Sequence, residues 1–250
     1  MTFPIVMIHA FPLSHKAWAP QVEVLSKTCR VIAYDIRGFG KTEAGDLPYT
    51  LETYVDDLIR LLDDLKLPQA ILCGLSMGGY IALRAHERHP DRVSGLVLCD
   101  TKSEADTNEA KIKRAAAIQG IKQKGLATFA EVFLRSVLTE DTLRSKPQVC
   151  EALSAMIRAN SPAGVCAALV AMAARTDTTA SLSKIKVPTL ILVGEHDKLT
   201  PPAAAEAMAK AIPGSVMHVI PGAAHMSNLE NPAVFNEKLL QFLQAGIKSP

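Results

Sequence analysis

Residues 70–79 read AILCGLSMGG, a short apolar run followed by a serine that has glycines two positions before and after it. The run Ala70–Cys73 predicts a buried strand, and a helical pattern from about Met77 to Arg88, stopped by Pro90, follows it. Ser76 therefore stands at a sharp turn from strand to helix, the G-x-S-x-G elbow that exposes a nucleophilic hydroxyl. Glycines suit this turn because a strained backbone leaves little room for Cβ atoms. The alternative is a glycine-rich turn with an idle serine.

Five further apolar runs, rich in valine and isoleucine, predict strands on either side of the elbow. They are Pro4–Ile8, Arg30–Tyr34, Gly95–Cys99, Val187–Val193 and Val216–Ile220. Helical patterns alternate with them, the clearest being the amphipathic segment from Leu51 to Leu65. Because strands that alternate with helices form parallel sheets through right-handed crossovers, an α/β fold is predicted, with a mostly parallel sheet of about six core strands flanked by helices.

The strand pattern disappears between residues 102 and 183, where the chain is alanine-rich and apolar residues recur at helical spacing. This segment is predicted to be an inserted helical cap on the sheet. The core then comprises residues 1–101 and 184–250, and no repeat, low-complexity tract or linker separates core from cap. A single domain spanning residues 1–250 is expected.

Composition argues against several classes of partner. The 250 residues carry 27 lysines and arginines against 25 aspartates and glutamates, a net charge of +2 without blocks of like charge, so no nucleic-acid partner is expected. The longest wholly apolar run, Val165–Ala174, has ten residues, well short of the roughly 18 that a membrane span needs. With no basic leader at the N-terminus, a cytoplasmic location is expected.

Metal and cofactor sites are not predicted either. The five cysteines show none of the close pairs that bind zinc. The segment His86-Glu87-Arg88-His89-Pro90 begins like a zinc-binding helix but has proline where the second ligand histidine belongs.

A serine hydroxyl is a poor nucleophile unless a histidine takes its proton and an acid orients that histidine. Asp197 follows the strand predicted to end at Val193, and His225 follows the strand that ends at Ile220. Because ligands of open α/β sheets bind at the carboxyl ends of the strands, Ser76, Asp197 and His225 are expected to converge at that edge. Their order along the chain, serine then acid then histidine, is the order that accompanies this elbow.

The sequence leaves other interpretations of these residues open. Asp197 could cap the helix that begins near Pro201, and His225 could be a solvated loop residue. Asp100, directly after the strand Gly95–Cys99, is the serious rival for the acid because it would lie at the same edge of the sheet. The order along the chain favours Asp197.

Acyl transfer also needs two backbone N–H groups that face the developing oxyanion. The N–H of Met77, directly after the serine, is one candidate by position. The turn His9-Ala10-Phe11-Pro12 after the first strand offers the second, the N–H of Phe11. An ordinary proline-bounded turn is the alternative for that segment.

These motifs together resemble the α/β-hydrolase superfamily over almost the whole chain, at His9–Pro12, Asp35–Gly40, Gly74–Gly79, Asp197 and His225. The elbow is similar to that of bacterial 3-oxoadipate enol-lactonases and related small carboxylesterases. The resemblance implies acyl transfer without a cofactor beneath a helical cap, with Ser76 as nucleophile, His225 as base and Asp197 as the residue that orients the base.

The chain departs from that family pattern in two ways. Ala10 stands where the glycine of the first turn is usual, which could change the oxyanion turn. The chain also reaches the strand before His9 almost at once, which leaves no room for the hairpin that opens the family's usual sheet of eight strands. An edge strand without a partner in the sheet is therefore expected, and the chain terminus or another subunit of a homo-oligomer would cover it.

The sequence thus predicts a serine hydrolase that cleaves small carboxylic esters or lactones through an acyl-enzyme. Apolar residues near the elbow and in the cap predict a greasy acyl pocket made of Leu13, Trp18, Phe129, Phe133, Met156 and Met226, although core packing explains most of them equally well. Thioester hydrolysis, carbon–carbon bond cleavage and cofactor-free perhydrolysis are alternatives with the same three residues. A protein that keeps the fold but only binds a small ligand is the alternative outside catalysis.

Overall fold

A computed structural model describes residues 4–245 of the chain. Its centre is a six-stranded sheet in the order β2-β1-β3-β4-β5-β6. The strands are β1 (Ile5–Ile8), β2 (Val31–Tyr34), β3 (Ala70–Leu75), β4 (Val93–Cys99), β5 (Thr189–Gly194) and β6 (Val216–Ile220). All neighbouring strands run parallel, so the predicted α/β fold with about six core strands is confirmed.

Helices connect the strands and cover both faces of the sheet. They are α1 (Ala19–Leu25), α2 (Leu51–Asp64), α3 (Met77–Arg88), α4 (Asn108–Val137), α5 (Glu140–Ser145), α6 (Pro147–Arg158), α7 (Pro162–Ala173), α8 (Pro202–Ala211), α9 (Ser227–Glu230) and α10 (Pro232–Gln244). The helices α4 to α7 lie between β4 and β5, within the segment predicted as the cap.

Two hydrophobic clusters, one on each face of the sheet, explain why the central strands read as continuous apolar runs. In β1, Val6 and Ile8 belong to the cluster that contains α2 and α3, whereas Ile5 and Met7 belong to the cluster that contains α1 and α10. All four of these side chains are fully buried. Neighbouring residues of a strand point to opposite faces, so a strand covered on both faces has no position left for a polar side chain.

The strand boundaries differ slightly from the predicted ones. β3 continues past Cys73 because Gly74 and Leu75 still pair with Leu98 and Cys99 of β4. β5 begins at Thr189 and not at Val187, since Pro188 has no backbone N–H to give to the sheet. The extension of β3 carries the strand up to Ser76 itself.

The cap helices pack on one another around the longest of them, α4, which contacts both α6 and α7, and α7 also contacts the core helix α2. α4 bends at Gly125, where φ is +77°. Within residues 4–245, no single helix is long and apolar enough to cross a membrane, and α6 and α7 pass that test only as a pair bent by 95°. The same residues contain no cluster of three or more histidine, cysteine, aspartate or glutamate side chains that could hold a metal ion.

Candidate active site

Ser76 occupies the turn between β3 and α3 in a strained conformation, with φ +53° and ψ −111°. Its N–H donates to the carbonyl of Cys99 on the neighbouring strand at 2.9 Å, which fixes the turn to the sheet. A Cβ atom on Gly78 would lie 2.1 Å from the carbonyl oxygen of Ile8, so glycine is required there for α3 to pack directly on the end of β1. The predicted elbow is present.

Ser76, His225 and Asp197 form one continuous hydrogen-bonded chain. Ser76 Oγ lies 2.9 Å from His225 Nε2, and His225 Nδ1 lies 2.8 Å from Asp197 Oδ2. With its proton on Nδ1, His225 donates to Asp197, and Nε2 can accept the proton of the Ser76 hydroxyl. The three residues come from loops after β3, β5 and β6, and the structure brings them together as the sequence predicted.

Asp197 is held by its own loop as well as by His225. Its carboxylate accepts hydrogen bonds from the Thr200 hydroxyl at 2.6 Å, the Leu199 N–H at 2.8 Å and the Thr200 N–H at 3.1 Å. Burial raises the pKa of Asp197, but the interactions with His225 and Thr200 outweigh burial and hold it below the usual value. The carboxylate therefore stays charged.

The pKa of His225 moves in the opposite direction. Burial lowers it, but the adjacent Asp197 carboxylate raises it more, so the pKa of His225 lies above its ordinary value. This is the environment in which an imidazole can receive a proton and hold it for the next step.

Asp100, the rival acid, lies at the same edge of the sheet but makes different contacts. Its carboxyl group accepts from the Gly194 N–H at 2.8 Å and from the Ser227 hydroxyl at 2.5 Å. Burial and then the nearby Asp197 carboxylate raise its pKa to about 8. Among the described residues Asp197, and not Asp100, forms the hydrogen bond to His225.

The turn after β1 lies directly beside the elbow. His9 braces it: its ring donates from Nδ1 to the carbonyl of Ala10 at 2.9 Å and accepts the N–H of Ile36 at 3.0 Å through Nε2. Complete burial lowers the pKa of His9 to about 4, so the ring is neutral and serves both bonds. Ala10 is accommodated there with no exposed surface.

Both predicted oxyanion donors are free of backbone acceptors. Met77 is the first residue of α3, and an N–H in the first turn of a helix has no partner within that helix. The Phe11 N–H donates to no backbone carbonyl among residues 4–245. The helix dipole of α3 adds partial positive charge at the same point.

A cavity of about 400 Å³ opens beside Ser76 and His225. Phe129 and Phe133, predicted as pocket residues, line it together with Phe11. Phe11 packs edge-on against the other two rings, 6.2 Å from Phe129 and 6.1 Å from Phe133 between ring centroids, and Phe129 and Phe133 stack on each other at 5.7 Å. The cavity therefore has an aromatic wall contributed by the cap helix α4 and the turn after β1.

The other four predicted pocket residues lie elsewhere, which corrects the sequence-based prediction. Leu13, Trp18 and Met226 are fully buried in the core cluster under α1 and α10, where Trp18 packs against Phe235 at 6.3 Å between ring centroids. Met156 lines a separate cavity of about 540 Å³ beside His15 and Asp35. The apolar character of these four residues is explained by packing in the core or, for Met156, by lining a different cavity.

The charged residues around the cavity were not anticipated from the sequence. Four cationic side chains and two carboxylates line it: Lys102, Lys113, Arg114, Lys198, Asp106 and Glu109. No motif marks them, since they lie on the cap and on the loop after β5 and meet only when the cap is folded onto the core.

Part of this charged wall is a cluster of ion pairs around Asp106. The carboxylate of Asp106 accepts from both Arg114 and Arg175. Arg175 is buried and its guanidinium lies over the ring of Tyr80, 4.1 Å from the centroid. Arg114 turns its Nη1 atom toward Met172, whose sulfur at 3.4 Å is only a weak acceptor. One carboxylate thus pairs with two guanidinium groups and neutralises only one of their two positive charges. Positive charge therefore remains in the cavity wall.

The fold and the site define a protein class, and the comparisons with known proteins agree. Residues 4–232 match the family model described as alpha/beta hydrolase fold, so the chain belongs to that family. A thermophilic esterase from Thermogutta terrifontis, solved with malate bound, is 38% identical, with a TM-score of 0.94 over 99% of this chain and 91% of that one.

Two enol-lactonases are also similar. The enol-lactonase from Burkholderia xenovorans LB400 is 32% identical, with a TM-score of 0.91 over 98% of this chain and 92% of that one. The 3-oxoadipate enol-lactonase 2 of Acinetobacter baylyi is 31% identical over 219 residues, which cover 88% of this chain and 80% of that protein. The chain is thus an α/β hydrolase that resembles esterases and enol-lactonases.

Proposed function

We propose that the protein is a serine hydrolase that cleaves small carboxylic esters or lactones through an acyl-enzyme. The observation that carries the proposal is the hydrogen-bonded chain from Ser76 through His225 to Asp197 beside a cavity of about 400 Å³. A serine so placed has a base at hydrogen-bond distance and an acid that orients the base, which are the requirements for nucleophilic catalysis.

In the first half of the reaction, Ser76 Oγ attacks the carbonyl carbon while its proton passes to His225 Nε2. The carbonyl oxygen becomes an oxyanion, and the N–H groups of Phe11 and Met77 are the proposed donors that stabilise it. The bond to the leaving oxygen then breaks, and that oxygen takes the proton from His225. With a lactone, the freed hydroxyl stays attached to the acyl group.

In the second half, water replaces the alcohol. His225 accepts a proton from the water, the resulting hydroxide attacks the acyl carbon, and the bond between that carbon and Ser76 Oγ breaks. The proton returns from His225 to Ser76, and a carboxylic acid leaves. Asp197 stabilises the imidazolium in both halves without changing its own protonation.

The cavity wall also favours a substrate that carries its own carboxylate. Arg114 has an Nη1 group without a strong acceptor, and Lys102 and Lys198 line the same cavity. A hydrogen bond to a charged group contributes about 1.5–3 kcal/mol, which corresponds to roughly 10-fold or more in affinity. We therefore expect an aryl ester of pentanedioic acid to be hydrolysed with a kcat/KM about 10-fold above that of the pentanoic ester.

Labelling with a fluorophosphonate tests the enzymatic proposal. Mass spectrometry is expected to find the adduct on Ser76, and Ser76→Ala is expected to abolish both labelling and ester hydrolysis. Ser94→Ala is the matched control, since Ser94 is also buried but lies within β4, away from His225. If Ser76 is unlabelled and the wild type hydrolyses no ester or lactone, the protein is a binding protein on this fold. If Ser76→Ala hydrolyses esters as fast as the wild type, Ser76 is not the nucleophile.

A panel of substrates tests the kind of bond cleaved. Aryl esters and lactones are expected to be hydrolysed faster than thioesters and diketones of matched size. If kcat/KM is higher for a thioester or a diketone than for the esters and lactones, or if perhydrolysis with peroxide is faster, that reaction and not ester or lactone cleavage is the activity of the protein.

A further inference from the structure

Asp100 is a fully buried carboxyl group for which the proposed chemistry has no use. It directly follows β4, which lies between β3, leading to Ser76, and β5, leading to Asp197. Its φ of +44° is in the left-handed region, which aspartate and asparagine adopt more readily than most other residues. A buried polar side chain in this backbone conformation needs a structural or functional explanation.

The two oxygens of Asp100 bond to two different loops. Oδ1 accepts from the N–H of Gly194, the last residue of β5, from which the chain runs to Asp197. Oδ2 is bonded to the hydroxyl of Ser227, two residues after His225. One carboxyl group therefore joins the loop that carries the acid to the loop that carries the histidine.

We propose that Asp100 is a positioning residue, whose buried carboxyl group holds the Asp197 and His225 loops at the spacing in which His225 reaches both Asp197 and Ser76. The inference rests on the proposed function, because the spacing matters only if these three residues act together. A misplacement of about 1 Å is enough to cost roughly 100-fold in rate.

The two hydrogen bonds of Asp100, to the Gly194 N–H and to the Ser227 hydroxyl, are what join the two loops. Burial and the nearby Asp197 carboxylate raise the pKa of Asp100 to about 8, which favours the protonated form near neutral pH. The carboxyl group accepts from the Gly194 N–H through Oδ1 and from the Ser227 hydroxyl through Oδ2, and when it is protonated the hydroxyl of Ser227 can act as the acceptor in the same bond. The amide of asparagine offers an acceptor and a donor in the same two places.

Two variants of residue 100 separate positioning from charge. Asp100→Gly removes the side chain, and glycine adopts a φ of +44° without strain. Asp100→Asn restores both hydrogen bonds without the carboxyl. Glu195→Gln is the matched control, since Glu195 joins the same two loops by a bond to the Gly222 N–H but from an exposed position.

We expect Asp100→Gly to lower kcat by about 100-fold with KM changed less than about threefold, because the substrate pocket is untouched. Asp100→Asn is expected to recover kcat to within about threefold of the wild type, with the acid limb of its pH profile unchanged. Glu195→Gln is expected to stay within about twofold. A wild-type kcat in Asp100→Gly overturns the proposal, and so does a loss in Asp100→Asn as large as that in Asp197→Asn.

Ser227→Ala keeps the proposal testable if Asp100→Gly does not fold. It removes one of the two bonds, and kcat is expected to fall by about 3- to 10-fold; an unchanged kcat in this variant contradicts positioning. Labelling of wild-type Ser76 by the fluorophosphonate is independent of these variants. An unlabelled wild type refutes the proposed function itself, whereas a labelled wild type with fully active Asp100→Gly refutes only the role of Asp100.

Discussion

The edge of the sheet and the cap contribute to the cavity in different ways. Ser76, Asp197 and His225 follow three strands of the sheet, and their positions depend on backbone that is hydrogen-bonded from β3 to β6. The cap helix α4 contributes Arg114 before its bend at Gly125, and Phe129 and Phe133 after it. The three residues proposed to react therefore stand at the end of the hydrogen-bonded sheet, whereas the side chains proposed to select a substrate stand on an inserted layer of helices. Changes at the sheet edge should therefore affect every substrate alike, and changes in the cap should alter the choice among substrates.

Among variants that keep Ser76, the largest effect is expected from Asp197→Asn. The amide cannot stabilise the imidazolium of His225 or hold the correct tautomer, so kcat is expected to fall by about 10⁴-fold for charged and neutral esters alike. Steady-state kinetics on the pentanoic and pentanedioic esters measure this. Asp177→Asn, in the loop after α7, is a control that should leave kcat unchanged. A residual rate above about a tenth of the wild-type rate would show that another residue acts as the acid, with Asp100 as the first candidate.

A smaller but still uniform loss is expected from Gly194→Ala. A Cβ atom there would lie 2.0 Å from the carbonyl oxygen of Ala224, the residue before His225, and the backbone must move to make room. We expect kcat to fall by about 100-fold, together with a lower Tm.

Gly120→Ala is the control for that change, because no atom lies within 4 Å of the added Cβ and the residue is in the cap helix α4. Alanine in a helix is expected to raise the stability slightly and leave kcat unchanged. Equal kinetic losses in the two variants would show that the sheet edge is no more sensitive than the cap.

Arg114→Gln is expected to change selectivity and not the chemical step. The preference for the pentanedioic ester over the pentanoic ester should fall by about 10-fold, with the kcat for the neutral ester within about threefold of the wild type. Asp106 keeps its partner Arg175, so the cap should remain folded. Arg144→Gln, at an exposed position in α5, is the matched control. A uniform loss on both esters would mean that Arg114 supports the fold and does not bind the substrate.

The smallest expected effect is a shift of the pH profile. The base form of His225 exists only above its pKa, which Asp197 raises over the ordinary value. The kcat/KM for a neutral ester should therefore fall as the pH drops, with the midpoint above the usual histidine value of about 6.5. Measurement between pH 5 and 9 on the pentanoic ester checks this without ionisation of the substrate. A midpoint at or below 6.5 would contradict the strong pairing of His225 with Asp197.

The sequence predicted the elbow, the parallel sheet and the meeting of Ser76, Asp197 and His225. Each of these depends on local patterns, namely apolar runs that form strands and the turn residues that follow directly after them. It failed at Trp18 and Met226, which are close to site residues in the sequence but point into the core. An apolar side chain near a functional loop can point into the core or into the pocket, and only the side chains packed around it decide between the two.

The residues alone were sufficient to predict the type of fold and to nominate Ser76, His225 and a carboxylate at the carboxyl ends of the strands, since strand ends and glycine turns place them within short stretches of backbone. Packing decided that Asp197 and not Asp100 bonds to His225, and that Arg114 and Arg175 share Asp106 beside the cavity. These contacts join segments far apart along the chain, and their distances depend on how loops and cap helices settle against one another, which local pattern does not encode.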